Sequence, residues 1–134
     1  ELKKIVPDRE IFPMELCDER FYHGDTCLCS FGPRREFLLA YLPAIAPPSR
    51  EKLRALAGDR LIALSDADAA SYAANAYSVT IESAPHLFMT VTASAELKRR
   101  VETLGVKVVD VDVSEFLKKG GGSVKCMVFD LSCY

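Results

Sequence analysis

The feature that most constrains this chain is a repeated order of elements: strand, strand, helix, strand, twice in succession. In the first unit, residues 27–31 and 36–42 read as strands separated by a Gly32-Pro33 turn. Pro47-Pro48 then leads into a helix whose expected cap is Ser49, with Leu53, Leu56 and Ala57 at helical spacing and Gly58 at its end. Residues 60–64 supply the closing strand. The second unit follows the same order. Residues 75–81 and 87–91 read as strands joined by a polar link that contains Pro85. Ser94 caps a helix carrying Leu97, Val101 and Leu104 on one face, with Glu96 and Arg100 spaced to pair, and Gly105 stops it. In residues 107–113, Val109, Val111 and Val113 alternate with Asp110 and Asp112, the pattern of a half-buried strand. Residues 65–71 form one helical turn between the units, and a glycine run leads into a last strand at 126–131.

Such units imply an α+β fold. Periodicity fits two arrangements equally: modules set around a common axis, or a ferredoxin-like two-layer sandwich. No linker long enough to divide the chain is present, so residues 1–134 are expected to form a single domain. A net charge of −2 without a run of one sign points to no nucleic acid and no membrane surface as partner. No apolar stretch approaches the roughly 18 residues that span a bilayer. The chain opens on Glu1 without an initiator Met or a signal peptide's apolar region, which suggests a processed or truncated polypeptide. Five cysteines, an odd number, suggest free thiols in a reducing, cytoplasmic compartment.

Two constellations carry the chemistry. The first is Phe21-Tyr22-His23-Gly24-Asp25-Thr26-Cys27-Leu28-Cys29. On an extended chain His23, Asp25, Cys27 and Cys29 would project to one side. A zinc site does not follow, because alternate residues on a strand lie about 6.6 Å apart and the set would span about 20 Å. Cys27 and Cys29 therefore read as core. The second is Gly120-Gly121-Gly122-Ser123-Val124-Lys125-Cys126. Three glycines are costly to order and make sense where backbone approaches a ligand closely. A phosphate cradle would need a Gly-x-x-x-x-Gly-Lys-Ser/Thr pattern or a helix start just after the glycines, and neither is expected. What remains is a thiol at the exit of a glycine-rich loop.

Taken together, His-x-Asp-Thr-Cys-x-Cys and Gly-Gly-Gly-Ser-Val-x-Cys resemble the paired C-terminal signatures of the amidinotransferase and dimethylarginine dimethylaminohydrolase superfamily. Leu61-Ile62-Ala63-Leu64-Ser65 and residues 110–117 also look like segments of that family. The resemblance implies the pentein fold, an α/β propeller of five ββαβ modules around a central site. This chain would supply about two modules with flanking strands, the C-terminal portion. It further implies Cys126 as nucleophile, His23 as general acid/base and Asp25 as a carboxylate holding a guanidinium, with no cofactor and no metal. Gly24 departs from the bulky apolar residue the family more often has beside the histidine.

The implied chemistry suits these residue types. A guanidinium carbon is a poor electrophile, so it calls for a strong, soft nucleophile and for carboxylates that grip the planar cation. A free thiol is only about 3% thiolate at pH 7, and a nearby cation raises that fraction. Attack gives a covalent amidino-thioether, with the histidine serving first as acid and then as base. The expected activity is hydrolysis of arginine or a methylated arginine, or amidino transfer, with the earlier modules or self-association completing the ring. The alternatives are a non-catalytic fragment or interaction module that keeps the fold, and a ferredoxin-like ligand-binding domain.

Overall fold

The computed structural model describes residues 2–129, and in it each predicted unit becomes a small three-stranded sheet. The strands are β1 (Leu28–Phe31), β2 (Phe37–Ala40), β3 (Leu61–Ala63), β4 (Tyr77–Ile81), β5 (Ala84–Thr90) and β6 (Lys107–Val111). The helices are α1 (Leu2–Ile5), α2 (Gly24–Cys27), α3 (Pro47–Ala57), α4 (Asp66–Ala70), α5 (Ala95–Thr103) and α6 (Ser114–Gly120). In the first sheet β1 and β2 pair antiparallel and β2 and β3 pair parallel, with α3 as the crossover. The second repeats this with β4, β5 and β6 and with α5 as the crossover. A parallel pair requires such a crossover, whereas a hairpin suffices for the antiparallel one.

Local rules account for the boundaries that differ from expectation. Helix α3 starts at Pro47 with Ala46 as its cap, not at Ser49. Prolines at the first turn lose no hydrogen bond, since those N–H groups have no partner in the helix. Ser49 instead accepts a bond from the Glu15 nitrogen at 3.0 Å. The β4–β5 link is a two-residue turn, Glu82-Ser83, with φ of 49° and 68°. Two successive positive φ values match the right-handed twist of a hairpin. Pro85 consequently lies inside β5, opposite Thr80, and β6 pairs only from His86 onward. The proline sits where β5 has a neighbour on one side only, so no ladder bond is lost. Strand β6 ends at Val111, and the chain enters α6, which the alternating pattern did not foretell. Leu56 and Leu104, expected on apolar faces, are 44% and 38% exposed. Glu96 and Arg100 form no ion pair among the described residues; Lys98 instead reaches Asp110 on β6 at 2.7 Å.

One core joins the two sheets. Phe31, Leu39 and Ile62 of the first pack with Leu87 and Met89 of the second and with Leu97 and Val101 of α5. A smaller cluster of Ala40, Leu42, Ile45 and Leu53 fills the space between the first sheet and α3. Asp68 ties the helix starts together. It is 5% exposed, and its carboxyl group accepts from the Ser65 hydroxyl (2.7 Å), the Ser94 nitrogen (2.7 Å) and the Ser94 hydroxyl (3.0 Å). Ser65 and Ser94 are the N-caps of α4 and α5, so one side chain sets the spacing of two helices. Removing it leaves buried donors unsatisfied. Asp68→Ala is expected to lower stability by roughly 2–4 kcal/mol, read from the urea midpoint. A loss under about 0.5 kcal/mol, typical of surface changes, would show that the two caps stand without it.

Candidate active site

His23 and Asp25 belong to a single helical turn, not to an extended segment. His23 caps α2 with extended backbone (φ −109°, ψ 131°). Its carbonyl accepts from the Thr26 nitrogen at 3.0 Å and the Thr26 hydroxyl at 2.6 Å. The turn is seated from the N-terminal side by Phe21, 2% exposed, whose ring packs on Tyr41 (centroids 5.2 Å) and Tyr72 (5.9 Å). A buried anchor two residues upstream fixes where His23 leaves the core. The His23 ring stays exposed and stacks on Tyr22 at 4.4 Å. Asp25 is half-buried, and among the described residues its carboxylate makes no ion pair. Gly24 has a negative φ and open space where a side chain would project, so its departure from the family pattern distorts nothing locally.

Cys126 lies on a 3-10 turn, Val124–Met127, and is exposed. The strand expected from residue 126 is therefore absent at least through Phe129, and residues 130–131 lie outside the described residues. The glycine run has two distinct purposes. Gly121 ends α6 in the left-handed region (φ 65°). At Gly122, a Cβ would come within 2.9 Å of the Cys126 sulfur and 3.0 Å of its Cβ. The thiol occupies the space that any side chain at position 122 would take.

The residue that joins these two segments is Asn75, expected from the sequence only as the first residue of a strand. It is fully buried. Its Nδ2 donates to the Asp25 carbonyl at 3.0 Å, while its Oδ1 accepts from the nitrogens of Ser123 (2.8 Å) and Cys126 (3.3 Å). The Asn75 carbonyl also accepts from the Lys125 nitrogen at 3.0 Å. Asn75 stands 50 residues after Asp25 and 51 before Cys126 in sequence, and its side chain holds the backbone of both. The sequence signal was a lone polar residue inside Ala73-Ala74-Asn75-Ala76, where a buried amide needs partners.

The four cysteines among the described residues are free and divide by environment. Cys27 and Cys29 are buried, with Sγ 3.5 Å from the carbonyls of Gly24 and Ala76 respectively. Burial pushes both thiols up to about 11, which keeps them protonated and unreactive at neutral pH. Cys17 and Cys126 are exposed. The four groups of the first constellation do not converge: Cys27 and Cys29 face the core and His23 faces solvent. No cluster of three His, Cys, Asp or Glu suited to a metal ion occurs among the described residues. Beside Cys126, Val124 and Met127 form one wall of an open apolar groove of about 420 Å³, whose floor is Tyr77, Val79, Phe88 and Val111.

An exposed thiol, an exposed imidazole and a half-buried carboxylate thus stand on two short turns whose backbones Asn75 joins. Comparison with known proteins gives the family. A family model described as N,N dimethylarginine dimethylhydrolase, eukaryotic, matches residues 12–133, and the chain belongs to that family. The bifunctional arginine dihydrolase/ornithine cyclodeaminase AgrE of Nostoc sp. is 36% identical over 121 residues, covering 90% of this chain and 16% of that protein. The N(G),N(G)-dimethylarginine dimethylaminohydrolase of Mycobacterium tuberculosis is 33% identical over 121 residues, covering 90% of this chain and 37% of that protein. Among solved structures, the N-terminal domain of a variant of ArgZ, covalently bound to a reaction intermediate, superposes with a TM-score of 0.82 at 33% identity. That match covers 93% of this chain and 43% of that domain. The chain thus spans well under half the length of these relatives. No helix among the described residues is long and apolar enough to cross a membrane.

The buried thiols make stability depend on alkaline pH. From the ordinary 9.0 up to about 11, an unfolded chain releases these protons while the folded chain retains them. Their contribution to stability is therefore fully present below pH 9 and is lost as pH rises through this window. Urea midpoints measured from pH 8 to 11 should show this fall, and a Cys27→Ala/Cys29→Ala variant should show a shallower one. Identical slopes would mean that neither thiol is protected in the folded state.

Proposed function

We propose that this chain is the C-terminal portion of a pentein catalytic domain and carries the nucleophile and acid/base of a cysteine hydrolase acting on arginine or a methylated arginine. The observation that carries the reading is the joining of the Cys126 turn and the His23–Asp25 turn on one buried side chain, Asn75. Two units of identical topology correspond to two of five propeller modules, consistent with the 43% of the ArgZ domain that the chain covers. Relatives named arginine dihydrolase and dimethylarginine dimethylaminohydrolase support this substrate class. The free thiols accord with a reducing cytoplasm.

In this mechanism Asp25 grips one edge of the guanidinium through charge-assisted hydrogen bonds. The Cys126 thiolate adds to the central carbon, and the tetrahedral adduct expels an amine as His23 delivers a proton to it. The Cys126–carbon bond is retained in an amidino-thioether. His23, now neutral, takes a proton from water as that water attacks the same carbon; collapse frees the ureido product and returns the thiol. An amine acceptor in place of water would complete amidino transfer instead. The rest of the ring contributes the opposing carboxylates and covers the apolar groove left open here by Tyr77, Val79, Phe88 and Val111, on whose side of β4 Ile81 is 42% exposed.

A second reading, an interaction module that keeps the fold without turnover, is favoured by that same exposed apolar surface and the adjoining groove. Substitution in the whole protein separates the two. Cys126→Ser is nearly isosteric but has no accessible alkoxide, so turnover should be abolished with the melting temperature unchanged. Asp25→Asn should weaken binding of guanidinium substrates by about 1.5–3 kcal/mol, or roughly 10–150-fold. A Cys126→Ser enzyme that keeps more than a few per cent of kcat, or no turnover of any arginine derivative by the unaltered protein, would contradict the proposal.

A further inference from the structure

We infer that Asn75 is a positioning residue for catalysis, acting through the backbone of the nucleophile turn and of the acid/base turn rather than on substrate. The inference rests on the functional reading above and adds to it a residue outside both motifs.

The geometry is specific to an amide. One side of the Asn75 side chain must accept, from the nitrogens of Ser123 and Cys126, and the other must donate, to the Asp25 carbonyl. No other side chain of that size offers both polarities at fixed positions. Its backbone is equally committed, donating to the Tyr72 carbonyl at 2.9 Å and accepting from Lys125 at 3.0 Å. The turn it holds is a single 3-10 turn after three glycines, with bonds from the Cys126 nitrogen to the Ser123 carbonyl at 3.2 Å and from the Val128 nitrogen to the Lys125 carbonyl at 3.2 Å. Without Asn75, the buried Ser123 N–H loses its acceptor, the Cys126 N–H keeps only its 3.2 Å bond to the Ser123 carbonyl, and the sulfur loses its register against Gly122. Misplacing a reacting atom by about 1 Å can cost about 100-fold in rate. On the opposite side, the Asp25 carbonyl belongs to the same one-turn helix that His23 caps. A single amide therefore sets the distance between the groups that attack and the groups that bind.

Asn75→Asp in the whole protein tests this. The carboxylate preserves shape and both acceptor bonds but turns an oxygen toward the Asp25 carbonyl, and it puts negative charge 3.3 Å from the Cys126 nitrogen. KM for the guanidinium substrate is expected to rise about tenfold or more as the Asp25 turn comes free. The pH midpoint for iodoacetamide alkylation of Cys126, read by peptide mass mapping, is expected to rise by about one unit, with exposed Cys17 unmoved as internal reference. Asn75→Ala, which loses all three bonds, should lower kcat about 100-fold. A purely structural Asn75 would lower the melting temperature in both variants and leave KM in Asn75→Asp and kcat in Asn75→Ala at their original values, and that result overturns the inference. Alkylation reports on Cys126 without turnover, so failure here is distinct from failure of the nucleophile assignment, which appears as an active Cys126→Ser enzyme. Should the variants not fold, amide exchange in the unaltered protein decides: slow exchange at Ser123 and Cys126 supports the inference, and exchange at the rate of an open loop overturns it.

Discussion

A buried primary amide is costly unless its donor and acceptor are both engaged, and Asn75 meets that condition by binding together two segments far apart in the chain. The α2 turn is four residues long and the Val124–Met127 turn is another four, so neither contributes helical stability of its own. Each takes its conformation from contacts outside itself: Phe21 beneath the first, Gly122 against the second, and Asn75 between them. The groups proposed to react thus stand on short turns, beside two sheets that share one core.

The second sheet shows how a repeated unit can build one core and still leave work for a neighbour. Leu87 and Met89 point into the common interior, whereas Tyr77, Val79 and Phe88 line the open groove on the other face. A strand with apolar residues on both faces expects cover on both. The proposed ring would supply that cover, whereas a two-layer sandwich would leave one face wet. It also explains why the family resemblance and the topology agree while the chain covers less than half of the solved ArgZ domain.

Legibility in the sequence followed the range of the interactions involved. Helix α5 was readable because Ser94 and Gly105 are local signals, one capping the first turn and the other taking a φ of 77° after the last. The Glu82-Ser83 hairpin was not, because neither of its positive-φ positions carries the Gly or Asn that usually announces such a turn. Met127-Val128-Phe129 has the composition of a strand, yet the chain makes a 3-10 turn over Val124–Met127, where Asn75 Oδ1 accepts from the Cys126 nitrogen and the Lys125 carbonyl from the Val128 nitrogen. His23, Asp25 and Cys126 could be nominated from motifs alone. Asn75 could not, since its importance comes entirely from partners some 50 residues away on either side.

The central claim is that Cys126 carries substrate covalently while His23 acts on both sides of that intermediate. Mass spectrometry of the acid-quenched His23→Ala enzyme during turnover tests it most directly. Removing the second role, as base toward water, should slow breakdown of the intermediate more than its formation, so an amidino adduct should accumulate on the peptide containing Cys126. An adduct on another cysteine, or slow turnover with Cys126 unmodified throughout, would contradict the account.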